Sequence, residues 1–193
     1  PLHQYERVAK ITRDLRPIKS DEEVALIKKA IAISIKGFKS LLKAAKPNVK
    51  EYELEAELAY HYIKNGATRH AFKPIVASGK NACALHYTTN DAVCKDGEMI
   101  LVDFGVCYGN YNSDTTRCLP VNGKFSPRQK EVYESVLYCL KEGSKLLKPG
   151  VLSKDYELKM AELIETELIK LKLITTEDIA NQNPEKTNNK KYF

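Results

Sequence analysis

Residues 99–121 read MILVDFGVCYGNYNSDTTRCLPV, and this stretch decides the fold. Two apolar runs, 99–107 and 111–121, flank the short segment Tyr108-Gly109-Asn110. Apolar runs separated by glycine and asparagine in this way are typical of a β-hairpin. We therefore predict two antiparallel strands here, preceded by another strand at residues 74–78.

Each predicted hairpin strand carries an aspartate. Asp103 follows four apolar residues, and burying a single carboxylate is costly unless it is paired or bound to a cation. Asp114 lies on the returning strand. If the hairpin loop has two residues, Asp103 and Asp114 are directly opposite or one diagonal step apart. In either register both side chains point to the same face of the sheet.

Two carboxylates held this close repel each other unless a positive centre lies between them. A divalent cation such as manganese, magnesium or zinc suits their hard oxygen atoms. Alternatively, Asp103 pairs with a nearby arginine such as Arg117, or one aspartate lies at a solvated edge of the sheet. Buried acids also collect in structural ion pairs, so the geometry alone favours neither interpretation.

His86 occurs in the polar segment Leu85-His86-Tyr87-Thr88-Thr89-Asn90, just after the first predicted strand. A neutral imidazole there can bind a metal, donate a hydrogen bond to a substrate carbonyl or transfer a proton. A single histidine in a loop usually does none of these, so this signal is weak by itself. His3, His61 and His70 have no motif around them, and we interpret them as structural or exposed.

Two helices are predicted before the strands. The first begins with a capping box of Ser20 and Glu23 and ends before Pro47. Its expected apolar face consists of Val24, Ile27, Ile31, Ile35, Phe38 and Leu42. The second is expected to use Asn48 and Glu51 as its cap, and it ends at Asn65-Gly66. Its apolar stripe consists of Leu54, Leu58 and Tyr62.

Two more helices are predicted after the strands. Ser126, Pro127 and Gln129 form the start of a third helix, which ends before Pro149-Gly150. A fourth helix is expected to be capped by Ser153. Its apolar residues are Tyr156, Ile164, Leu168 and Leu171.

The composition is that of a folded domain. The chain has 193 residues, of which 43% are hydrophobic and 29% charged, which excludes wholly disordered and collagen-like chains. No apolar run approaches the length of about 18 residues that a membrane span needs. The five cysteines are widely spaced without a CxxC pair, so we expect reduced thiols and a cytoplasmic location.

The net charge of +6 is concentrated at the amino-terminal end of the chain. Residues 1–50 contain twelve basic and five acidic side chains. A basic amphipathic segment can bind nucleic acid or an anionic membrane, but a lysine-rich face is more often a solvated helix surface. We adopt the solvated interpretation, with neither nucleic acid nor membrane as a partner.

Six motifs occur here in the order and spacing of Xaa-Pro aminopeptidases (aminopeptidase P) and prolidases. They are Ser78-Gly79, Leu85-His86-Tyr87 with Asn90, Asp96-Gly97, Val102-Asp103-Phe104-Gly105, Ser113-Asp114-Thr115-Thr116-Arg117 and Pro120-Val121-Asn122-Gly123-Lys124-Phe125. The chain therefore resembles the pita-bread metallopeptidases, which include methionine aminopeptidases and creatinases, from about Leu15 to its end. The segment 120–125 is more similar to aminopeptidase P than to methionine aminopeptidase.

The resemblance implies a fold, a reaction and roles for three residues. The fold is α+β, the pita-bread (creatinase/aminopeptidase) fold, with helices packed on a curved, mainly antiparallel sheet. The reaction is release of an N-terminal residue from a peptide with proline at the second position. Asp103 would bind one metal ion and Asp114 would bridge two, usually manganese, with zinc or cobalt as alternatives. His86 would contact the substrate and stabilise the tetrahedral intermediate.

The resemblance also implies ligands that this chain does not match, namely a further histidine and two glutamates from the second half of the domain. No histidine follows His86. We therefore expect residues 20–180 to be the first half of the catalytic domain, and inactive as a fragment. Residues 1–19 are expected to be a linker from an absent preceding domain, and residues 181–193 a polar loop or frayed end. A homodimer is expected for the full-length protein.

Two rival functions are compatible with these residues. One is a prolidase, which cleaves free Xaa-Pro dipeptides. The other is a catalytically inactive pita-bread domain that binds peptides, histones or nucleic acid. The presence of Asp103, Asp114 and His86 argues against the second rival, because a pure binding module does not need these acids together.

Overall fold

The computed structural model describes residues 9–181. Compact packing divides the chain into two units, one ending at Lys124 and the other beginning at Phe125, and each is described by itself. The first unit contains the helices α1 Ala9–Leu15, α2 Asp21–Ala44 and α3 Glu51–Lys64. Its strands are β1 Arg69–His70, β2 Ile75–Ser78, β3 Met99–Phe104, β4 Val106–Tyr108, β5 Tyr111–Asn112 and β6 Thr115–Pro120. A 3₁₀ helix, Gly79–Cys83, follows β2.

The predicted hairpin forms, but each of its two strands is interrupted. Gly105 separates β3 from β4, and Ser113-Asp114 separates β5 from β6. The result is two three-stranded antiparallel sheets, with the orders β1-β4-β5 and β2-β3-β6. The prediction of two unbroken strands was therefore wrong at these positions.

The interruption has a steric cause, because the backbones of Gly105 and Ser113 approach too closely for a side chain. A Cβ atom on Gly105 would lie 2.0 Å from the carbonyl oxygen of Ser113. The Ser113 hydroxyl accepts from the backbone N–H of Val106 at 3.0 Å and lies 2.5 Å from the Ser34 hydroxyl on α2. Side-chain hydrogen bonds thus hold the hairpin where its strands are interrupted.

A two-residue loop fixes the register of the hairpin. Tyr108 pairs with Tyr111, so the loop is Gly109-Asn110, with φ angles of 55° and 64°. Positive φ at both central residues is the mark of a type I′ turn, whose twist matches that of the flanking strands. The same register continues to the pair Phe104 and Thr115.

The buried face of α2 differs from the predicted one. Ser20 caps the helix with Glu23 as predicted, but Ile31, Ile35 and Leu42 are exposed. The buried residues are Ala30, Ile33, Ser34, Gly37 and Leu41. Small residues allow close helix packing: a Cβ atom on Gly37 would lie 3.0 Å from the Tyr62 ring and 3.4 Å from the Leu58 Cα.

The start of α3 is also corrected. Its N-cap is Lys50, whose N–H donates to the Glu53 carboxylate at 2.7 Å, and not Asn48, which has a φ of 72°. Glu51, predicted to be part of the cap, is instead buried. The stripe of Leu54, Leu58 and Tyr62 is buried as predicted.

The second unit contains α4 Pro127–Leu146, α5 Ser153–Lys170 and α6 Thr176–Ala180. Ser126 and Gln129 cap α4 as predicted. Leu152 is the N-cap of α5, so Ser153 is its first residue and does not cap it. We did not predict α6, which Thr175 caps.

Residues 9–15 form α1 within the segment expected to be a linker, whereas most of the expected polar end lies outside the described residues. Among residues 9–181, no helix combines the length and apolar character needed to cross a bilayer.

Gly105→Ala should destabilise the chain by about 3 kcal/mol or more, because the new methyl group meets backbone that cannot rotate away. Gly97→Ala is the control: Gly97 has a φ of 79° but open space around it, so the substitution should cost about 1 kcal/mol from backbone strain alone. Urea unfolding followed by circular dichroism measures both. If Gly105→Ala lowers the free energy of unfolding no more than Gly97→Ala does, the close approach of Gly105 to Ser113 does not restrict the residue at position 105.

Candidate active site

Asp103 and Asp114 lie on the same face of the hairpin. Asp103 in β3 pairs with Thr116 in β6 and with Ile75 in β2. Asp114 lies just before β6, two residues before Thr116, the partner of Asp103. In this register Asp114 is therefore diagonally across from Asp103. Both side chains line one cavity of about 360 Å³. The prediction that an even loop brings the two aspartates to one face is confirmed.

The cavity also contains the predicted histidine. Its lining residues are Phe72, Lys73, Ile75, His86, Thr88, Asp103 and Asp114. The two aspartates come from the hairpin, whereas His86 and Thr88 come from the loop of residues 79–92, here called the His86 loop. The structure therefore brings together all three residues singled out from the sequence.

The electrostatics of Asp103 show the cost of placing two acids together. Burial raises the pKa of Asp103, and the nearby negative charge of Asp114 raises it further. The Thr116 hydroxyl donates to Asp103 at 2.9 Å and lowers its pKa, as does the neighbouring His86. These two contributions are smaller than the increase, so the pKa of Asp103 stays above its usual value. Asp103 is therefore less readily ionised than an ordinary aspartate.

The alternative ion pair between Asp103 and Arg117 is not formed. Arg117 pairs with Val102, and its guanidinium donates to the Thr116 carbonyl at 2.7 Å. The residues that line the cavity include one cationic side chain, Lys73. The two acids are thus not neutralised by Arg117.

Asp103 and Asp114 fit the role of two ligands of a divalent cation. Carboxylate oxygens are hard donors, and a cation between them would offset the repulsion that raises the pKa of Asp103. Within residues 9–181, however, no group of three or more histidine, cysteine, aspartate or glutamate side chains is arranged to hold a metal. The two aspartates therefore supply part of a coordination sphere.

His86 is exposed at the cavity in an unusual backbone conformation. Its φ is 59°, in the left-handed region of backbone conformation that residues other than glycine rarely adopt. Such a conformation costs of order 1–3 kcal/mol and persists only when surrounding contacts impose it. The contacts that hold the His86 loop are therefore part of the site.

One such contact residue, Glu51, has a functional position that sequence reasoning missed. Its side chain is 0% exposed, and it accepts hydrogen bonds from four residues. The donors are Ser78 N (2.7 Å), Ser78 Oγ (2.8 Å), Asn81 Nδ2 (3.2 Å), Tyr87 OH (2.7 Å) and Ala92 N (3.0 Å). The available signal was its spacing, because Glu51 lies on the buried stripe of Leu54, Leu58 and Tyr62.

The hydrogen bonds keep Glu51 charged despite its burial. Burial by itself would raise the pKa of Glu51, but donation from Ser78, Tyr87 and Asn81 outweighs it, and the pKa lies below its usual value. A carboxylate that accepts several hydrogen bonds is stabilised in its ionised form. Glu51 is therefore a buried anion whose charge is satisfied by the His86 loop and its flanking residues.

Asn90 is a second anchor of the loop. Its Oδ1 accepts from the backbone N–H of Val76 at 2.9 Å, while its Nδ2 donates to Glu55 at 2.8 Å and to the Pro74 carbonyl at 2.9 Å. Its φ of 51° is also left-handed, a conformation that asparagine tolerates better than most residues. These bonds join the end of the loop to β2 and α3.

Comparison with known proteins reveals close sequence relatives. Residues 25–187 match metallopeptidase family M24. The chain is 34% identical over 164 residues to the Xaa-Pro aminopeptidase of Escherichia coli K12, which covers 85% of this chain and 37% of that protein. It is also 34% identical over 156 residues to the Xaa-Pro dipeptidase of Pyrococcus horikoshii, covering 81% of this chain and 44% of that protein.

Solved structures give the same picture. The aminopeptidase PepP of Pseudomonas aeruginosa superimposes with a TM-score of 0.86 at 37% identity, covering 91% of this chain and 40% of that one. A zinc-substituted E. coli aminopeptidase P in complex with product gives a TM-score of 0.84 at 33% identity, covering 87% and 38%. The chain thus spans less than half the length of these relatives.

Asp103→Asn should stabilise the metal-free chain at neutral pH. Because the folded-state pKa of Asp103 is raised, ionising it costs stability as the pH rises from its unfolded pKa of about 3.9 through the folded value. Asparagine removes this cost and keeps an acceptor for Thr116. Melting temperatures in chelator-treated buffer from pH 3 to pH 8 should show no advantage at pH 3 and a growing one above it.

The control for this titration is Asp96→Asn, at an exposed aspartate that accepts from Asn122 at 2.7 Å. The stability change of Asp103→Asn at each pH is compared with that of this variant. A loss of stability for Asp103→Asn at neutral pH, or an equal effect at all pH values, would contradict the described electrostatics of the aspartate pair.

Proposed function

Because the chain belongs to metallopeptidase family M24, we propose that it forms part of the active site of a metal-dependent aminopeptidase. The proposed reaction releases the N-terminal residue of a peptide whose second residue is proline. The observation that carries this proposal is the convergence of Asp103, Asp114 and His86 on one cavity. The expected α+β pita-bread fold is confirmed by the superposition on aminopeptidase P structures.

Asp103 and Asp114 are the proposed carboxylate ligands of the metal. Two manganese ions are the proposed cofactor, with zinc or cobalt as alternatives. When bound, a divalent cation supplies Lewis-acid stabilisation of the negative charge that develops on the scissile carbonyl. The hairpin holds the two carboxylates in a fixed relation, because the two-residue loop sets the register of β3, which carries Asp103, against β6, which begins directly after Asp114.

His86 is the proposed catalytic residue of this chain. Its ring lies at the cavity that Asp103 and Asp114 share, and it is exposed and thus accessible to a peptide. An imidazole N–H aimed at the substrate carbonyl would stabilise the negative charge of the tetrahedral intermediate. Thr88 and Phe72 line the same cavity and would shape the space around the substrate.

We further propose that the site is completed by residues other than those described here. Two carboxylates leave a pair of metal ions with too few protein ligands, and the described residues contain no group of three. The chain covers 40% of the P. aeruginosa aminopeptidase, so that protein has ample length for the remaining ligands. In this proposal, residues 20–180 are the first half of the catalytic domain.

The second candidate function is that of a prolidase. The similarity to the P. horikoshii Xaa-Pro dipeptidase, at 34% identity over 81% of this chain, supports it. The two activities differ in substrate length: an aminopeptidase cleaves Xaa-Pro-Yaa peptides, whereas a prolidase cleaves the dipeptide Xaa-Pro. Hydrolysis of a matched tripeptide and dipeptide by the complete catalytic domain distinguishes them, and we expect the tripeptide to be preferred.

This chain alone should bind manganese weakly, because without further ligands a hard cation keeps most of its hydration shell. Calorimetric titration should give a Kd above about 1 μM, equivalent to roughly −8 kcal/mol. Asp114→Ala should weaken binding further, whereas the exposed Asp96→Ala should not. A Kd well below 1 μM would contradict the proposal that essential ligands lie elsewhere.

In the complete catalytic domain, Asp103→Ala and Asp114→Ala should abolish Xaa-Pro hydrolysis through loss of metal. His86→Ala should retain the metal and lose about 10²- to 10³-fold in turnover, the usual effect of removing one hydrogen bond to a developing oxyanion. Metal analysis and turnover of a proline-containing peptide test all three variants, with His61→Ala on α3 as the matched histidine control. A fully active Asp103 variant, or a His86 variant without metal, would show that these roles are wrongly assigned.

A further inference from the structure

We propose that Glu51 is a positioning residue that holds His86 at the cavity. This inference rests on the proposed function, because it concerns how His86 is placed for its role there. Glu51 lies on α3, outside the cavity lining, and would act only through the His86 loop.

The hydrogen bonds to Glu51 bracket His86 in the sequence. Ser78 and Asn81 donate from the residues before His86, and Tyr87 and Ala92 donate from the residues after it. A single carboxylate therefore ties together both ends of the segment that carries the histidine. Removing it would release both sides of the loop at once.

Tyr87 is the direct link between Glu51 and His86, since it follows His86 in the chain. Its hydroxyl donates to Glu51 at 2.7 Å and accepts from Asn81 at 3.1 Å. On the other side of His86, Leu85 is 89% exposed, so its side chain contributes little packing. The tip of the loop is thus held by polar contacts to Glu51 more than by burial of apolar groups.

The chemistry of Glu51 suits this role better than any neutral residue would. A buried charge costs stability unless it is fully hydrogen-bonded, so a carboxylate on an otherwise apolar stripe needs a compensating set of donors. Its two oxygen atoms accept five hydrogen bonds here, whereas glutamine offers one accepting oxygen. The left-handed φ of His86 is the kind of strain that such a clamp can sustain.

The first test uses this chain and needs no catalysis. Glu51→Gln should speed hydrogen exchange of the amides of residues 84–92 by at least about tenfold, and Tyr87→Phe should speed it by a few-fold. The ring signals of His86 in NMR spectra, assigned with His86→Ala, should shift in both variants. Glu57→Gln is the matched control, because Glu57 lies on the same helix but accepts from Ser40 at 2.6 Å; it should leave exchange and ring signals unchanged.

The second test uses the complete catalytic domain loaded with manganese. Glu51→Gln should lower kcat by about 10- to 100-fold, the scale expected for a misplaced catalytic group, with KM within about threefold and metal content unchanged. In the His86→Ala background, Glu51→Gln should have less than about threefold further effect. This non-additivity separates positioning of His86 from a general structural role.

The outcomes are distinguishable. Unchanged hydrogen exchange of the amides of residues 84–92 in Glu51→Gln would overturn the positioning role. So would a double variant whose loss in kcat is the product of the losses of Glu51→Gln and His86→Ala. If Glu51→Gln does not fold, Tyr87→Phe decides both tests, since it removes one donor with little change in volume. If the unmodified catalytic domain fails to cleave Xaa-Pro peptides, the proposed function fails, and the exchange and NMR measurements still decide whether Glu51 positions His86.

Discussion

The register of one hairpin determines the site. The two-residue loop Gly109-Asn110 sets which residues face each other, and the register carries unchanged from Tyr108 to Met99. A loop longer by one residue would shift one strand against the other and turn one aspartate to the opposite face. The close approach of Gly105 to Ser113 lies where the hairpin passes from one sheet to the other, immediately beside Asp103 and Asp114. The placement of Asp103 and Asp114 on one face therefore depends on loop length and on one residue without a side chain.

Two different physical devices place the polar groups of the cavity. The hairpin holds the aspartates: Asp103 lies within the paired strand β3, and Asp114 lies in the interruption just before β6, which the hydrogen bonds of the Ser113 hydroxyl secure. His86 is held in a strained loop by side-chain hydrogen bonds that converge on the buried carboxylate of Glu51. Both devices place charge where it is costly by itself: burial and the charge of Asp114 raise the pKa of Asp103, and the carboxylate of Glu51 is buried. The loop donors offset the second cost, and a cation bound by both aspartates would offset the first.

The sequence predicted features that depend on local periodicity and loop chemistry. The hairpin, the Ser20 and Ser126 caps, and the shared face of Asp103 and Asp114 are of this kind. Prediction from the sequence failed where the structure depends on packing between elements that are distant in the sequence. The buried face of α2 follows from its small residues against α3, and the partners of Glu51 lie 27 or more residues away in the sequence. The metal roles of the aspartates and the catalytic role of His86 stay predictions, as does a cytoplasmic location.

The most direct measurement of the central claim is anomalous X-ray scattering from crystals of the active catalytic domain grown with manganese. If hairpin register places the two aspartates for a shared metal site, the map will show manganese bound by the carboxylates of both Asp103 and Asp114. Peaks that contact neither aspartate, or a single peak with one aspartate turned to solvent in an active protein, would contradict the account.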